Sequence, residues 1–184
     1  MKTVKTILAM ALMIPLFSAC SNDDDAPKPV NEEETITTMT VTLVPQGGGT
    51  TVTLRSQDLD GDGPNAPTIS ISGSLAASTT YNGTIELLDE TSTPAEDITE
   101  EVEEEGLEHQ FFFTASGSIA AVGYADQDAG GNPIGIAFTL ATAQSGDASL
   151  TITLRHEPKK PNDGTLSDAG GETDIAQTFS LFVQ

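Results

Sequence analysis

The chain has 184 residues, and 28 acidic side chains against 7 basic ones give a formal net charge of −21 at neutral pH. This charge disfavours nucleic acid and anionic lipid surfaces as partners, because binding through counterion release needs clusters of lysine and arginine. With no tryptophan and only 2 tyrosines, the composition argues against a carbohydrate site built on aromatic platforms. The single cysteine, Cys20, has no second thiol for a disulfide or a zinc–thiolate site.

The first 25 residues predict an export signal with a lipid attachment site. Lys2 and Lys5 precede an apolar run of about a dozen residues, which is too short to span a bilayer and is typical of a removable signal peptide. Residues 16–20, Leu-Phe-Ser-Ala-Cys, resemble a bacterial lipobox, with Phe17 where the usual pattern prefers leucine. We expect cleavage before Cys20 and acylation of that cysteine, which anchors the protein to a membrane. A plain secretory signal with a chance cysteine is the alternative.

An acidic linker follows the cysteine. Residues 21–25, Ser-Asn-Asp-Asp-Asp, resemble the signal that marks surface-exposed lipoproteins of Bacteroidota, which implies a location on the outer membrane, at the cell surface. Residues 26–34 are rich in proline and glutamate, as solvated tethers are, and a tether without a sorting role is the alternative. The predicted organisation is a lipoprotein signal peptide over 1–19, a lipidated cysteine with an acidic disordered tether over 20–34, and one domain over 35–184.

From residue 35 onward, short runs alternate apolar with polar residues, as strands with one buried and one solvated face do. Glycine, asparagine and aspartate separate the runs and favour turns. About nine strands at this spacing predict an all-β fold, an immunoglobulin-like or fibronectin-like antiparallel β-sandwich, with a barrel as the alternative. The alternating runs cover residues 39–43, 52–54, 69–71, 85–87, 134–140, 150–154 and 179–183.

Two local features refine this prediction. Tyr81 opens a strand six residues after Leu75, which resembles the tyrosine corner of immunoglobulin-like sandwiches, whose hydroxyl bonds back to the preceding loop. An ordinary interfacial tyrosine is the alternative. The sequence Thr-Val-Thr-Leu-Arg at 51–55 recurs as Thr-Ile-Thr-Leu-Arg at 151–155, each time after a strand and a glycine-containing turn, and this predicts two similar hairpins.

The first candidate site is the loop over 58–65, Asp-Leu-Asp-Gly-Asp-Gly-Pro-Asn. Carboxylates at positions one, three and five, with glycine at six, can surround a hard cation with oxygen ligands. The loop departs from an EF-hand because Ile69 stands at position twelve, where a bidentate glutamate is expected. We therefore predict a weak calcium site of the kind found in extracellular β domains, and a simple turn is the alternative. The candidate ligands are Asp58, Asp60, Asp62 and Asn65.

One short acidic helix is predicted between strands. Residues 93–96, Thr-Pro-Ala-Glu, form a capping box with proline at the first helical position, and Gly106 is a C-terminal stop. Ile98 and Val102 give this helix a narrow apolar stripe.

The second candidate site is the end of this helix. Its glutamates stand four residues apart and repel one another, and a segment that breaks local rules invites a functional explanation. A divalent cation would relieve the repulsion, and a histidine ligand would tune the site toward zinc. The candidate ligands are Glu105, Glu108 and His109. A solvated acidic face is the alternative, and the contacts of the other histidine, His156, cannot be read from the sequence.

No catalytic activity is predicted. No strand–turn–helix nucleophile elbow surrounds a serine, and no phosphate-binding glycine loop leads into a helix. The lipobox, the acidic leader, the loop over 58–65, the strand entry over 75–81 and the segment over 94–113 together resemble small Bacteroidota lipoproteins classified in the type 1 periplasmic binding fold. That fold needs two α/β lobes with parallel sheets, whereas the alternation here favours one β domain.

The resemblance implies capture of a solute or an ion beside an outer-membrane transporter. We therefore expect a lipid-anchored outer-membrane protein that binds a divalent cation or a small solute at the cell surface, without catalysis. A structural or adhesive surface module without a small ligand is the alternative, and a hydrolase would have to show turnover.

Overall fold

Two antiparallel sheets form the part of the chain that the computed structural model describes, residues 34–61 and 63–184. These residues belong to one compact unit, Glu33–Gln184. The fold confirms the predicted all-β sandwich, although it adds a second short helix. The predicted signal peptide, Cys20 and most of the predicted tether lie outside the described residues.

The larger sheet has seven strands. They are β1 (Thr38–Pro45), β2 (Val52–Gln57), β3 (Thr68–Ile71), β4 (Thr80–Asp89), β5 (Glu96–Asp97), β7 (Ile119–Tyr124) and β8 (Ala137–Thr142). The main path runs β3-β2-β1-β4-β8-β7, and β5 pairs with β4. The smaller sheet has the order β10-β9-β6 and consists of β6 (His109–Gly117), β9 (Gly146–His156) and β10 (Glu172–Val183).

One hydrophobic core receives the apolar faces of both sheets. Alternate residues of β1, such as Val41 and Leu43, are fully buried, and so are Leu150 and Leu154 of β9. This is the two-residue period that the sequence predicted. The predicted tyrosine corner is also present, because the Tyr81 hydroxyl accepts a hydrogen bond from the Ala76 amide at 2.7 Å.

The acidic helix begins later than the capping box predicted. Helix α1 (Ile98–Glu104) has Asp97 as its N-cap, and the Asp97 side chain accepts a hydrogen bond from the Thr99 amide at 3.0 Å. Residues 93–96 do not start the helix, because Glu96 and Asp97 pair with the end of β4 instead. Ile98 and Val102 are buried as predicted. A second helix, α2 (Leu166–Ala169), was not predicted.

The two similar pentapeptides do not form two similar hairpins. Strands β1 and β2 form the first predicted hairpin, with Thr42 opposite Thr53. Strands β8 and β9 do not pair, because the chain passes from the larger sheet to the smaller one between them. Strand β9 pairs with β6 and β10, so the second hairpin was wrong. The repeated residues therefore reflect a common strand composition and not a repeated unit.

Candidate metal centre

The pairing of β6 with β9 brings together the only two histidines of the chain. His109 is the first residue of β6, His156 is the last residue of β9, and the two stand opposite each other in the antiparallel ladder. Opposite residues project to the same face of a sheet. Their ring centroids are 4.5 Å apart, and both residues are buried. The register of one strand pair therefore creates a buried pair of imidazoles.

Two carboxylates complete a group that we call the four-residue cluster: Glu34, His109, His156 and Asp174. The Nε2 atom of His109 lies 3.2 Å from Glu34 Oε1 and 3.9 Å from Asp174 Oδ2. The Nδ1 atom of His156 lies 3.9 Å from Glu34 Oε2 and 3.9 Å from Asp174 Oδ1. One donor atom from each of the four residues lies within 4.8 Å of the others. This donor set could hold a metal ion.

A glycine and a β-bulge place Asp174 in the cluster. Gly171 has a φ of +72°, and a Cβ there would lie 2.3 Å from the backbone oxygen of His156. Only glycine lets the chain approach the end of β9 this closely. Strand β10 then begins at Glu172, opposite His156, and its register shifts between Thr173 and Ile175. The extra residue of such a bulge re-aims a side chain, and here that residue is Asp174.

The surroundings of the His109 ring suit metal binding through its Nε2 atom. The Nδ1 atom lies 3.3 Å from the backbone oxygen of Glu105, which can only accept, so in the tautomer that binds a metal through Nε2 the Nδ1 hydrogen has an acceptor. The lone pair of a neutral ring is then on Nε2, which faces the two carboxylates. Metal-binding histidines usually donate their other ring hydrogen to a carbonyl or carboxylate in this way.

Several polar atoms of the cluster are buried without a hydrogen bond among the described residues. They are Glu34 Oε2, His109 Nε2 and both ring nitrogens of His156. Buried polar atoms in native proteins are nearly always partnered, because a lost hydrogen bond inside a protein is costly. A metal cation can accept the lone pairs of imidazole nitrogens as well as carboxylate oxygens. These buried atoms therefore fit a metal site.

The separations within the cluster are somewhat wider than those of a tetrahedral zinc site. Zinc bonds to nitrogen and oxygen are about 2.0–2.2 Å long, which places neighbouring ligand atoms roughly 3.3 Å apart. The His109–Glu34 separation of 3.2 Å already has this value, and the other three ion-pair distances are 3.9 Å. These four distances involve both oxygens of each carboxylate, whereas one donor atom from each residue lies within 4.8 Å of the others, so the ligands would have to move inward by up to roughly 1 Å.

A buried lysine holds the start of β6, where His109 lies. The Lys160 ammonium donates to the backbone oxygens of Gly106 (2.5 Å), His109 (2.6 Å) and Pro133 (3.2 Å), and to Asp128 Oδ2 (3.0 Å). The Lys160 side chain is 6% exposed and that of Asp128 is fully buried. The ammonium therefore ties the loop after β9 to the backbone of His109.

The predicted zinc ligands are separated by the fold. His109 belongs to the cluster, whereas the side chains of Glu105 and Glu108 are exposed and lie outside it. Glu105 contributes its backbone oxygen to His109. Sequence reasoning missed the roles of His156 and Asp174, and it assigned Glu34 to the tether although this side chain is only 9% exposed.

In the predicted calcium loop, two of the candidate ligands bond to each other. The Asp60 carboxylate accepts hydrogen bonds from the Asn65 side-chain amide at 2.7 Å and from the Asn65 backbone amide at 3.4 Å. The hydrogen bond from the Asn65 side chain is the main reason why the pKa of Asp60 is lowered. Asp58 is half-buried, Asp60 and Asn65 are exposed, and Asp62 lies outside the described residues. Calcium binding in this loop stays a prediction.

No family model, curated protein or solved structure matches the chain. Among the described residues, no helix is long and apolar enough to cross a membrane. The structure describes an all-β sandwich with a buried cluster of two histidines and two carboxylates that could bind a metal ion.

Proposed function

We propose that the protein is a non-catalytic module that binds a divalent transition-metal ion, zinc in particular, through Glu34, His109, His156 and Asp174. The observation that carries this proposal is the convergence of two imidazoles and two carboxylates at one buried point. The buried atoms without hydrogen bonds support it, because one ion could bind Glu34 Oε2, His109 Nε2 and one ring nitrogen of His156 together.

The donor types favour zinc over calcium. Calcium takes six to eight oxygen ligands, and the two imidazole nitrogens are poor ligands for it. Imidazole with carboxylate suits zinc and its neighbours in the first transition series, and four donors suit the tetrahedral preference of zinc. A dication would also neutralise two carboxylates that the fold has largely removed from water.

A full set of protein ligands favours binding without catalysis. Catalytic zinc sites use three protein ligands and keep the fourth position for water or substrate, whereas structural sites are closed by four. The cluster supplies four donors, and the side chains of His109, His156 and Asp174 are at most 4% exposed. A substrate would have little access to an ion held there.

The cellular role that we propose is capture of this ion at the bacterial surface. The lipobox and acidic leader support a protein anchored to the outer membrane through Cys20, and the net charge of −21 would attract cations from solution. An outer-membrane transporter would then receive the ion. The closed donor set favours a second candidate, in which zinc is a permanent part of a structural or adhesive module. Release within minutes fits capture, and release over days fits the structural role.

The test is a melting experiment on the mature chain, residues 20–184, with Cys20→Ser to remove the thiol. The protein is stripped with chelator and then given zinc, manganese or calcium. Zinc at a hundredfold excess over its dissociation constant should add about 2.7 kcal/mol of stability, which raises the melting temperature by about 5–10 °C in a domain of this size.

Two variants with the same change of charge separate the structural cluster from the helix site that the sequence predicted. Asp174→Asn should abolish most of the zinc shift, whereas Glu108→Gln, on an exposed side chain, should leave it intact. A zinc shift that is lost in Glu108→Gln and kept in Asp174→Asn would refute the cluster. A melting temperature raised by calcium alone would instead indicate the loop over 58–65, and Asp60→Asn should then remove the effect.

A further inference from the structure

We propose that Glu34 is the exchangeable ligand of this site, so that the bound ion works as a clasp between the N-terminal segment and the smaller sheet. The proposal rests on the proposed metal binding and adds how the ion enters and leaves. Three of the donors belong to paired strands of one sheet, and the fourth belongs to a segment outside the strands.

The three donors of the smaller sheet are held by strand pairing. His109 and His156 are opposite each other in the β6–β9 ladder. Asp174 lies between Thr173 and Ile175, which pair with Arg155 and Leu154 of β9. Moving any of the three donors far would require breaking ladder hydrogen bonds in β9 or its neighbours, which open only in larger unfolding events. These donors therefore form the fixed part of the site.

Glu34 is held by much less. The first backbone hydrogen bond of the described N-terminal segment is that of Thr37, whose amide donates to the Leu88 oxygen at 3.0 Å. Among the described residues, Thr35 is exposed and Ile36 contributes only partial packing against the core. The carboxylate of Glu34 is thus the polar attachment of residues 34–36 to the domain, through its contacts with the two histidines.

Burial points to the same residue. The Glu34 side chain is 9% exposed, compared with 0% for His109, 4% for His156 and 2% for Asp174. Glu34 is therefore the cluster member on the solvent side. When it swings away, the ion keeps three protein ligands and gains one position for water, which is the arrangement through which zinc exchanges ligands. Glu34 accordingly sets the rate of release, and the ion in turn orders residues 34–36.

The experiment follows zinc release and local order in the mature chain with Cys20→Ser. Zinc-loaded protein is mixed with excess chelator in a stopped-flow instrument, and hydrogen exchange of residues 35–37 is measured with and without zinc. In the wild type, zinc should slow exchange at residues 35–37 at least tenfold. Glu34→Gln should speed zinc release at least tenfold and remove this protection, whereas Glu108→Gln should behave as the wild type.

The outcomes distinguish the clasp from metal binding itself. If the wild type takes up no zinc, the proposed function fails, and the clasp fails with it. If the wild type binds zinc but its residues 35–37 exchange at the same rate in both states, metal binding stands and the clasp is refuted. Release from Glu34→Gln at the wild-type rate would also refute the clasp. Should Glu34→Gln fold poorly in chelator, the hydrogen-exchange comparison on the wild type decides alone.

Discussion

Replacing Lys160 by methionine is expected to destabilise the protein by about 3–5 kcal/mol. Methionine keeps most of the apolar stem but removes the ammonium that contacts Asp128 at 3.0 Å and three backbone oxygens at 2.5–3.2 Å. The Asp128 side chain is fully buried, so the change leaves a charged carboxylate without its counter-charge. Breaking one partner of a buried ion pair costs about this much free energy.

The assay is urea unfolding of the mature chain in chelator, followed by circular dichroism because the chain has no tryptophan. The control is Lys159→Met at the neighbouring residue. The Lys159 ammonium contacts Asp168 at 2.7 Å, but the Lys159 side chain is 58% exposed. This exposed pair should contribute less than about 1 kcal/mol. The double variant Lys160→Met with Asp128→Asn should recover part of the lost stability. Equal costs for Lys160→Met and Lys159→Met would refute the reasoning.

The same pair predicts how stability depends on pH. Burial by itself would raise the pKa of Asp128, but the amides of Asn132 and Gly130 and the Lys160 ammonium outweigh burial and lower it. A carboxyl group whose pKa is lower in the folded state stabilises the protein above its ordinary value near pH 4, and this contribution is lost as the pH falls through the folded value. Without the Lys160 ammonium, the folded-state pKa of Asp128 should rise, so the acid-dependent loss of stability from this carboxyl group should shrink. The cost of Lys160→Met should therefore be smaller below about pH 4 than at neutral pH, which urea midpoints measured across the acid range would show.

Two further substitutions test the backbone around the site and the core. Gly171→Ala should lower the stability by about 1–2 kcal/mol through left-handed backbone strain, and by more through a clash with the His156 oxygen. It should also weaken zinc binding. Gly170 also has a positive φ but has open space around it, so Gly170→Ala should cost the backbone strain alone. Equal costs in urea unfolding would contradict the close approach. Tyr81→Phe should cost about 1 kcal/mol, because the Ala76 amide loses its partner, and an unchanged urea midpoint would count against the tyrosine corner.

The strands were predictable because their signal is local. A two-residue alternation, as in 39–43, requires only that one face of a strand is buried, and this requirement is written into neighbouring residues. Membership of a sheet is not local. Residues 137–142 and 146–156 look like the two arms of a hairpin, yet they lie in different sheets because each finds its partners far along the chain. The helix start failed similarly, since pairing of Glu96 and Asp97 with β4 overrode a capping signature.

The candidate site was only partly predictable for the same reason. His109 was singled out for its acidic neighbours in the sequence, but the residues around its ring come from strand register, a bulge and the N-terminal segment. The missed signal was the position of the two histidines at the ends of apolar strand runs. Two such histidines would meet only if their strands paired antiparallel with ends aligned, which the sequence does not determine.

Burial separates a usable metal site from the many carboxylates of an acidic chain. With 28 acidic residues, groups of glutamate and aspartate arise by composition, and in water each repels its neighbours only weakly and remains fully hydrated. A cation gains little from binding such groups. The cluster of Glu34, His109, His156 and Asp174 differs because folding has already stripped water from its donors, and polar atoms of Glu34, His109 and His156 make no hydrogen bond among the described residues. The cost of that desolvation is borne by the fold, and an ion of matching donor preference can recover it.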